Sequence, residues 1–268
     1  MIDHTLVARH YESFSEGPRL QRSRVRRLEF DTTLHVLQTQ LPPRSAVLEL
    51  GAGHGAYSFR LAQAGYQVTA TDLVEVNVEA MKALAAEDSR LDSVEIRQAD
   101  ATNLLDVREA EYDAVLCLGP FYHLRTRELR RRCLLESRRV VRDGGLVAVS
   151  YINREFAVNY LLKTGKRVTA DQYDSLMEPD DERVDYPDEF FNVAHFSTQD
   201  AVESELAACG FKILTHAGTD GVGGFFPETL EGLDEQAYQD FRSYHLKTCT
   251  QPSGRGASSH CLVIARKI

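Results

Sequence analysis

The sequence predicts an α/β fold: a doubly wound, mostly parallel sheet with a helical N-terminal lead-in and a cap insertion. Three observations predict it. Short apolar runs alternate with amphipathic stretches between residues 46 and 151, a glycine-rich turn joins the first run to the stretch after it, and the alternation breaks beyond residue 152. Short continuous apolar strands separated by helices are buried on both faces, as in a parallel sheet covered by helices.

Residues 4–41 read as helical, with Leu28, Val36, Leu37 and Leu41 on a loose helical rhythm that Pro42-Pro43 ends. The alternation then begins with a strand at 46–50, a helix at 57–64 ended by Gly65, and a strand at 67–71. It continues with a helix at 76–86, strands at 94–98 and 112–118, a helix at 125–141 and, after Asp143-Gly144-Gly145, a strand at 146–151. Residues 153–195 are rich in acids and aromatics; a helix at 198–209 and strands near 211–216 and 260–266 follow. The expected organisation is a lead-in over 1–42, a core over 43–151, a cap over 152–196 and a C-terminal completion of the sheet over 197–268. An insertion of the cap's length at a sheet edge is more often functional than a plain loop. The Gly- and Ser-rich stretch 251–259 reads as flexible.

A chain of 268 residues suits one enlarged domain, and 43% hydrophobic with 26% charged residues is ordinary globular composition. Met1-Ile2-Asp3-His4 has no basic stretch leading into an apolar one, and no apolar run approaches the roughly 20 residues that cross a bilayer, so a cytoplasmic location without membrane contact is expected. Cys117, Cys133, Cys209, Cys249 and Cys261 are odd in number with no C-x-x-C pair, which suggests buried thiols and neither a disulfide framework nor a metal site. The excess of 40 acidic over 31 basic residues repels a polyphosphate partner. Two arginine clusters, Arg19 to Arg27 and Arg125 to Arg142, could offset it; the second lies around Leu129, Cys133 and Val140 at helical spacing, so its arginines read mostly as a solvated helix face and nucleic acid is disfavoured.

The strongest signal is Val47-Leu48-Glu49-Leu50-Gly51-Ala52-Gly53-His54-Gly55, between a strand and a helix. Alternate glycines let the backbone turn sharply and approach a ligand closely. The turn alone also satisfies the nicotinamide pattern G-x-G-x-x-G/A through Gly51, Gly53 and Ala56. Asp72 ends the second strand, where a carboxylate can accept two ribose hydroxyls, and Asp100 follows the third, where it can accept from an adenine amino group. Each has a plain reading as a cap, Asp72 of the helix starting at Val74 and Asp100 of a turn, while Glu49 could serve to hold the loop. Carboxylates at consecutive strand ends, on the edge that carries the glycine turn, favour a ligand site.

Together these residues resemble the class I S-adenosylmethionine (SAM) dependent methyltransferases over about residues 40–151. Glu49 to Gly55 is similar to their first motif, Asp72 to the second, Asp100-Ala101 to the third and Tyr112 to Leu124 to the fourth, and the order and spacing of the four carry the likeness. The resemblance implies a Rossmann-like, seven-stranded sheet, SAM as cofactor in preference to a nicotinamide, and cofactor contacts from Glu49, Gly51, Ala52, Gly53, Gly55, Asp72, Leu73, Asp100, Ala101 and Leu118. Within the fourth motif, Gly119-Pro120-Phe121-Tyr122-His123-Leu124 resembles a G-P-x-Y-H-L variant of bacterial methyltransferases. It implies His123 as a base and Tyr122 as an aromatic or hydroxyl contact; the alternatives are that His123 caps the next helix and Tyr122 packs in the core. The lead-in Tyr11-Glu12-Ser13-Phe14 with Arg19-Leu20 and Glu29-Phe30 resembles the same group. There Tyr11 could cover the sulfonium and Arg19 pair with the cofactor carboxylate, unless they are surface residues of the helix.

Ala194-His195-Phe196-Ser197-Thr198 also resembles that group, which makes His195 a second catalytic candidate beside the commoner structural role of a lone histidine. The cap's acids (Asp171, Asp174, Glu178, Asp180, Asp181, Glu182, Asp185, Asp188 and Glu189) alternate with Tyr173, Tyr186, Phe190 and Phe191, a pattern of a solvated face that also suits a cationic acceptor. Methyl transfer demands positioning and exclusion of water, with a base only where the nucleophile carries a proton. The expected activity is methylation of N, O or S on a small-molecule acceptor; a SAM-binding protein without catalysis and a protein or nucleic-acid methyltransferase are the alternatives.

Overall fold

The computed structural model describes residues 23–165, 167, 169–177 and 194–268. The elements are α1 (Arg24–Gln40), β1 (Ala46–Leu50), α2 (Ala56–Gln63), β2 (Gln67–Asp72), α3 (Glu75–Ala86), β3 (Glu95–Gln98), β4 (Tyr112–Cys117), α4 (Arg127–Val140) and β5 (Val141–Asn153). There follow α5 (Arg154–Thr164), α6 (Ala170–Ser175), β6 (Phe196–Ser197), α7 (Gln199–Ala208), β7 (Phe211–Gly218), α8 (Pro227–Gly232), α9 (Glu235–Thr248), α10 (Pro252–Gly256) and β8 (His260–Lys267).

The strand order is β3-β2-β1-β4-β5-β8-β7, with the short β6 added beside β5. All pairings are parallel except those of β8, which runs antiparallel to β5 and to β7. The expected seven-strand path is present, and β6 adds to it. Alternate strand residues point to opposite faces, so β5 sends Val147, Val149 and Tyr151 to one core with Leu134 of α4 and Leu206 of α7. Its Leu146 and Ala148 go to the other core, with Leu34 and Leu37 of α1 and Leu61 of α2. The hydroxyl of Ser23 accepts from the Arg26 N–H at 3.2 Å to start α1, and Pro42-Pro43 follow its end.

Several expectations are corrected. The strand expected at 146–151 begins at Val141, directly after α4, and absorbs Asp143-Gly144-Gly145 where the β4 register shifts between Tyr112 and Ala114. The alternation does not stop at residue 153, because β5 runs straight into α5; residues 178–193 lie outside the described residues. The stretch 251–259 is not a loose tract: it forms α10, and Ser258 and Ser259 are buried. The α4 arginines do not all lie on the solvated face. Arg130 is 1% exposed and reaches Glu205 of α7 through Nη2 at 2.8 Å and Nε at 3.0 Å, while Nη1 donates to the carbonyls of Leu124 and Arg125 at 3.1 and 2.9 Å. The five cysteines are free and buried. Among the described residues no helix is long and apolar enough to cross a membrane.

Candidate active site

The carboxyl ends of β1, β2, β4 and β5 meet along one edge. There the turn after β1 is held by three glycines with positive φ: Gly51 at 64°, Gly53 at 59° and Gly55 at 80°. A side chain at Gly51 is excluded twice, by this backbone conformation and because a Cβ would stand 2.5 Å from Pro120 Cγ. A Cβ on Gly119 would in turn lie 3.0 Å from the Gly51 carbonyl. The glycine turn and the segment after β4 are therefore in direct contact, and the Ala52 N–H, donating to the Thr71 carbonyl at 2.8 Å, ties both to β2.

Asp72 is buried at this junction. One carboxylate oxygen accepts from the Gly53 N–H at 2.8 Å; the other accepts from the Val74 N–H at 2.9 Å and from Asn77 Nδ2 at 3.1 Å. The N-cap position of α3 is Val74, so Asp72 is not the cap residue itself but braces the loop that leads into the helix. Three donors depend on this carboxylate, so its removal should cost stability as well as any ligand contact.

Glu49 lies beneath the turn, 2% exposed, and accepts from the Ser58 hydroxyl of α2. Burial raises its carboxyl to about 7 against the pull of the Ser58 hydrogen bonds, and the charge of Asp72 adds to the rise. A carboxyl raised in the folded state contributes stability that is fully present below its unfolded value and is lost as pH climbs through the folded one. The loss expected between the ordinary carboxylate range and neutrality is on the order of 3 kcal/mol. Urea unfolding of wild type and Glu49→Gln across this range should therefore give a stability difference that shifts in the variant's favour as pH rises; a difference independent of pH would refute the assignment.

Asp100 lies just beyond β3, and its Oδ1 accepts from the N–H and the hydroxyl of Thr102, both at 2.8 Å, so the turn-capping reading holds for that oxygen. The same edge holds it: the Ala99 N–H donates to the Asp72 carbonyl at 3.0 Å, and Gln98 Nε2 donates to the Leu73 carbonyl at 2.8 Å. Ala52 packs with Phe59 and Met81, Ala101 against the β4–α4 core, and Leu118 is buried on the α1 face.

After β4, Pro120–His123 forms one 3-10 turn, with Tyr122 buried against Ile152, Ala194, Phe156 and Phe196. The rings of Tyr122 and His123 stand 4.6 Å apart, and the Tyr122 carbonyl accepts from the His195 N–H at 2.6 Å. His195, distant in sequence, is thus brought to the adjacent pair Tyr122 and His123, on the turn whose Pro120 meets Gly51. His123 does not cap the next helix: Thr126 does, accepting from the Leu129 N–H at 3.3 Å. Tyr11, Arg19 and the acids from Glu178 to Glu189 lie outside the described residues. Sequence reasoning missed Ser58 and Asn77, the partners of Glu49 and Asp72, and overlooked Asp220 and His260. Ser58 and Asn77 sit in the first turns of α2 and α3, where an inward polar residue was the available signal; the second pair carries no local motif.

A nucleotide-type cofactor fits this edge, since a positive-φ glycine turn at the end of β1 lies beside carboxylates at the ends of β2 and β3. The fold and the site define the chain as a Rossmann-like α/β protein of the kind that binds its cofactor across strand ends. A profile described as a methyltransferase domain matches residues 47–145. The chain is 29% identical over 208 residues to the glycine/sarcosine N-methyltransferase of Aphanothece halophytica, covering 72% of this chain and 73% of that protein. It is 31% identical over 120 residues to a ubiquinone biosynthesis O-methyltransferase of Caulobacter sp. strain K31, spanning 45% of that relative and 44% of this chain. A SAM-dependent methyltransferase structure from Methanosarcina mazei shares the fold at TM-score 0.60 and 16% identity, over 87% of this chain and 97% of that one. Residues 47–145 thus match a methyltransferase domain, the enzyme class is that of the SAM-dependent methyltransferases, and the cofactor is SAM.

Proposed function

We propose that this protein transfers a methyl group to a nitrogen, oxygen or sulfur of a small molecule bound where the turn after β4 meets the end of β5. The observation that supports the reading is the contact between Gly51 and Pro120, which leaves Tyr122, His123 and His195 next to the cofactor turn. SAM, when bound, supplies an electrophilic methyl on a sulfonium. The backbone of Gly51, Ala52, Gly53 and Gly55 cradles its amino-acid end, with Glu49 beneath; Asp72 and Leu73 take the ribose, and Asp100, Ala101 and Leu118 the adenine side. Tyr11 and Arg19 complete the cofactor contacts in this reading.

On the acceptor side Tyr122 and His195 shape the site, and a ring nitrogen of His123 receives a proton from a hydroxyl or ammonium acceptor. The segment 152–196 closes that side as a cap, in keeping with a cytoplasmic enzyme of the group that shares the G-P-x-Y-H-L pattern. Both named relatives, a glycine/sarcosine N-methyltransferase and a ubiquinone biosynthesis O-methyltransferase, support a small acceptor, and the formal charge of -9 disfavours nucleic acid.

Calorimetry should give binding of SAM and S-adenosylhomocysteine and none of NAD or NADP; the reverse pattern ends the proposal. A screen of acceptors for SAM-to-S-adenosylhomocysteine conversion then identifies the product by mass. With that acceptor, His123→Ala should lower turnover by about 100-fold or more while S-adenosylhomocysteine affinity is unchanged. Unchanged turnover removes His123 from the chemistry.

A further inference from the structure

A second polar group lies on the same sheet edge, outside every motif of the sequence. His260 opens β8 directly opposite Ile152 of β5, which in turn is opposite Phe196 of β6. Two strand spacings make the His260-to-Phe196 separation about 10 Å, and residues paired in register share a face. Phe156 of α5 links the two ends: like Phe196 it packs against the cluster of Tyr122, Ile152 and Ala194, and its ring centroid stands 6.1 Å from that of His260.

His260 is 8% exposed. Its Nδ1 lies 3.1 Å from Asp220 Oδ2 and 3.9 Å from Glu29 Oε2. Asp220 is buried beside β7, where its Oδ1 accepts from the N–H groups of Ser259 and His260 at 2.8 and 3.1 Å and from the Ser258 hydroxyl at 2.5 Å. Burial pushes the Asp220 carboxyl up, but hydrogen bonds from His260 and Ser258 and the charge of His260 outweigh it, so it titrates below the usual carboxylate range. With Asp220 accepting from Nδ1–H, Nε2 is the ring nitrogen left to exchange a proton. Among the described residues Nε2 forms no hydrogen bond, and it is not one of the sealed side-chain atoms left without a partner (Thr32 Oγ1, Arg97 Nε and Arg255 Nε), so it keeps some access from outside. Arg26, from its 35% exposed position, neutralises part of the Glu29 charge at 2.9 Å.

We infer that His260 is a proton-accepting residue of the acceptor site, and that Glu29, Asp220 and the ring of Phe156 make this part of the site a pocket for a small protonated amine. The inference rests on the methyl-transfer reading above. Nε2 takes one proton from the ammonium group, which leaves a neutral nitrogen with a lone pair. That pair forms the new carbon–nitrogen bond as the methyl–sulfur bond breaks, its electrons staying on sulfur. The product leaves as the methylated ammonium, and the imidazolium returns its proton to water. Asp220 is the positioning residue, holding Nδ1–H so that Nε2 faces the amine.

The test uses the full chain with SAM and a panel of glycine, sarcosine, ethanolamine, simple phenols and small thiols, read as S-adenosylhomocysteine formed. Amine-dependent turnover is expected in the wild type, lowered about 100-fold or more in His260→Ala with S-adenosylhomocysteine affinity retained, and partly restored by free imidazole. His260→Asn, whose amide nitrogen overlays Nδ1 and so keeps a donor for Asp220 and guards against misfolding, should lose turnover equally. Asp220→Asn should shift the pH dependence of turnover, which a purely structural role leaves in place. Amine turnover at the wild-type rate in either His260 variant overturns the inference, as does turnover confined to phenols or thiols. A wild type that binds no S-adenosylhomocysteine, or turns over no member of the panel, instead overturns the methyl-transfer reading.

Discussion

Asp72→Ala is expected to weaken SAM binding by roughly 10- to 1000-fold, because hydrogen bonds to a charged group contribute about 1.5 to 3 kcal/mol each and about 1.4 kcal/mol is a factor of ten. The same substitution should also lower stability. The Gly53 and Val74 N–H groups and the Asn77 amide all donate to this buried carboxylate, and a buried donor left without an acceptor costs about 1 to 3 kcal/mol. With water reaching part of the gap, a total loss on the order of 3 kcal/mol is expected. Isothermal titration and thermal melting of the one variant measure both effects. Asn77→Ala is the control, since it removes one donor and keeps the carboxylate; it should cost stability with little loss of affinity. Wild-type affinity in a destabilised Asp72→Ala protein would reduce Asp72 to a brace for the loop.

Arg130→Ala is expected to be the most destabilising substitution on α4, by about 3 to 5 kcal/mol, because removing one member of a buried ion pair strands the other charge. Here the stranded groups are Glu205, whose side chain is 13% exposed, and the carbonyls of Leu124 and Arg125. These carbonyls directly follow Tyr122 and His123, so the arginine ties the candidate catalytic turn to α7. Turnover should fall along with stability. Replacing both partners, as Arg130→Met with Glu205→Leu, should recover most of the folding free energy, because a well-packed apolar pair avoids the desolvation that the ion pair must offset. Urea unfolding of the single and double variants decides the matter, and a single variant within about 0.5 kcal/mol of wild type, the range of ordinary surface changes, would refute the buried-pair account.

Features set by neighbouring residues were legible before any coordinates. Glycine at 51, 53 and 55 announces positive φ because a Cβ is barred there, and the apolar runs of β1, β2, β4 and β8 announce burial on both faces. The glycine turn, the carboxylates at the ends of β2 and β3 and the Pro120–His123 segment were therefore visible as a series along the chain. The sequence alone determined the α/β alternation and placed the glycine turn and the two carboxylates at the carboxyl ends of β1, β2 and β3. Which carboxylate oxygen meets which amide, and which arginine turns inward, depends on segments far apart in sequence and only becomes defined when the sheet closes. Arg130 meets Glu205 across 75 residues, and Asp220 meets His260 across 40. Periodicity assigns a helical arginine to the solvated face; the packing of α4 against α7 turned Arg130 inward, because only an acid on the neighbouring helix makes its burial tolerable. His260 likewise reads as an ordinary strand residue, and the antiparallel insertion of β8 between β5 and β7 brought it to the site edge, where Asp220 at the end of β7 orients its ring.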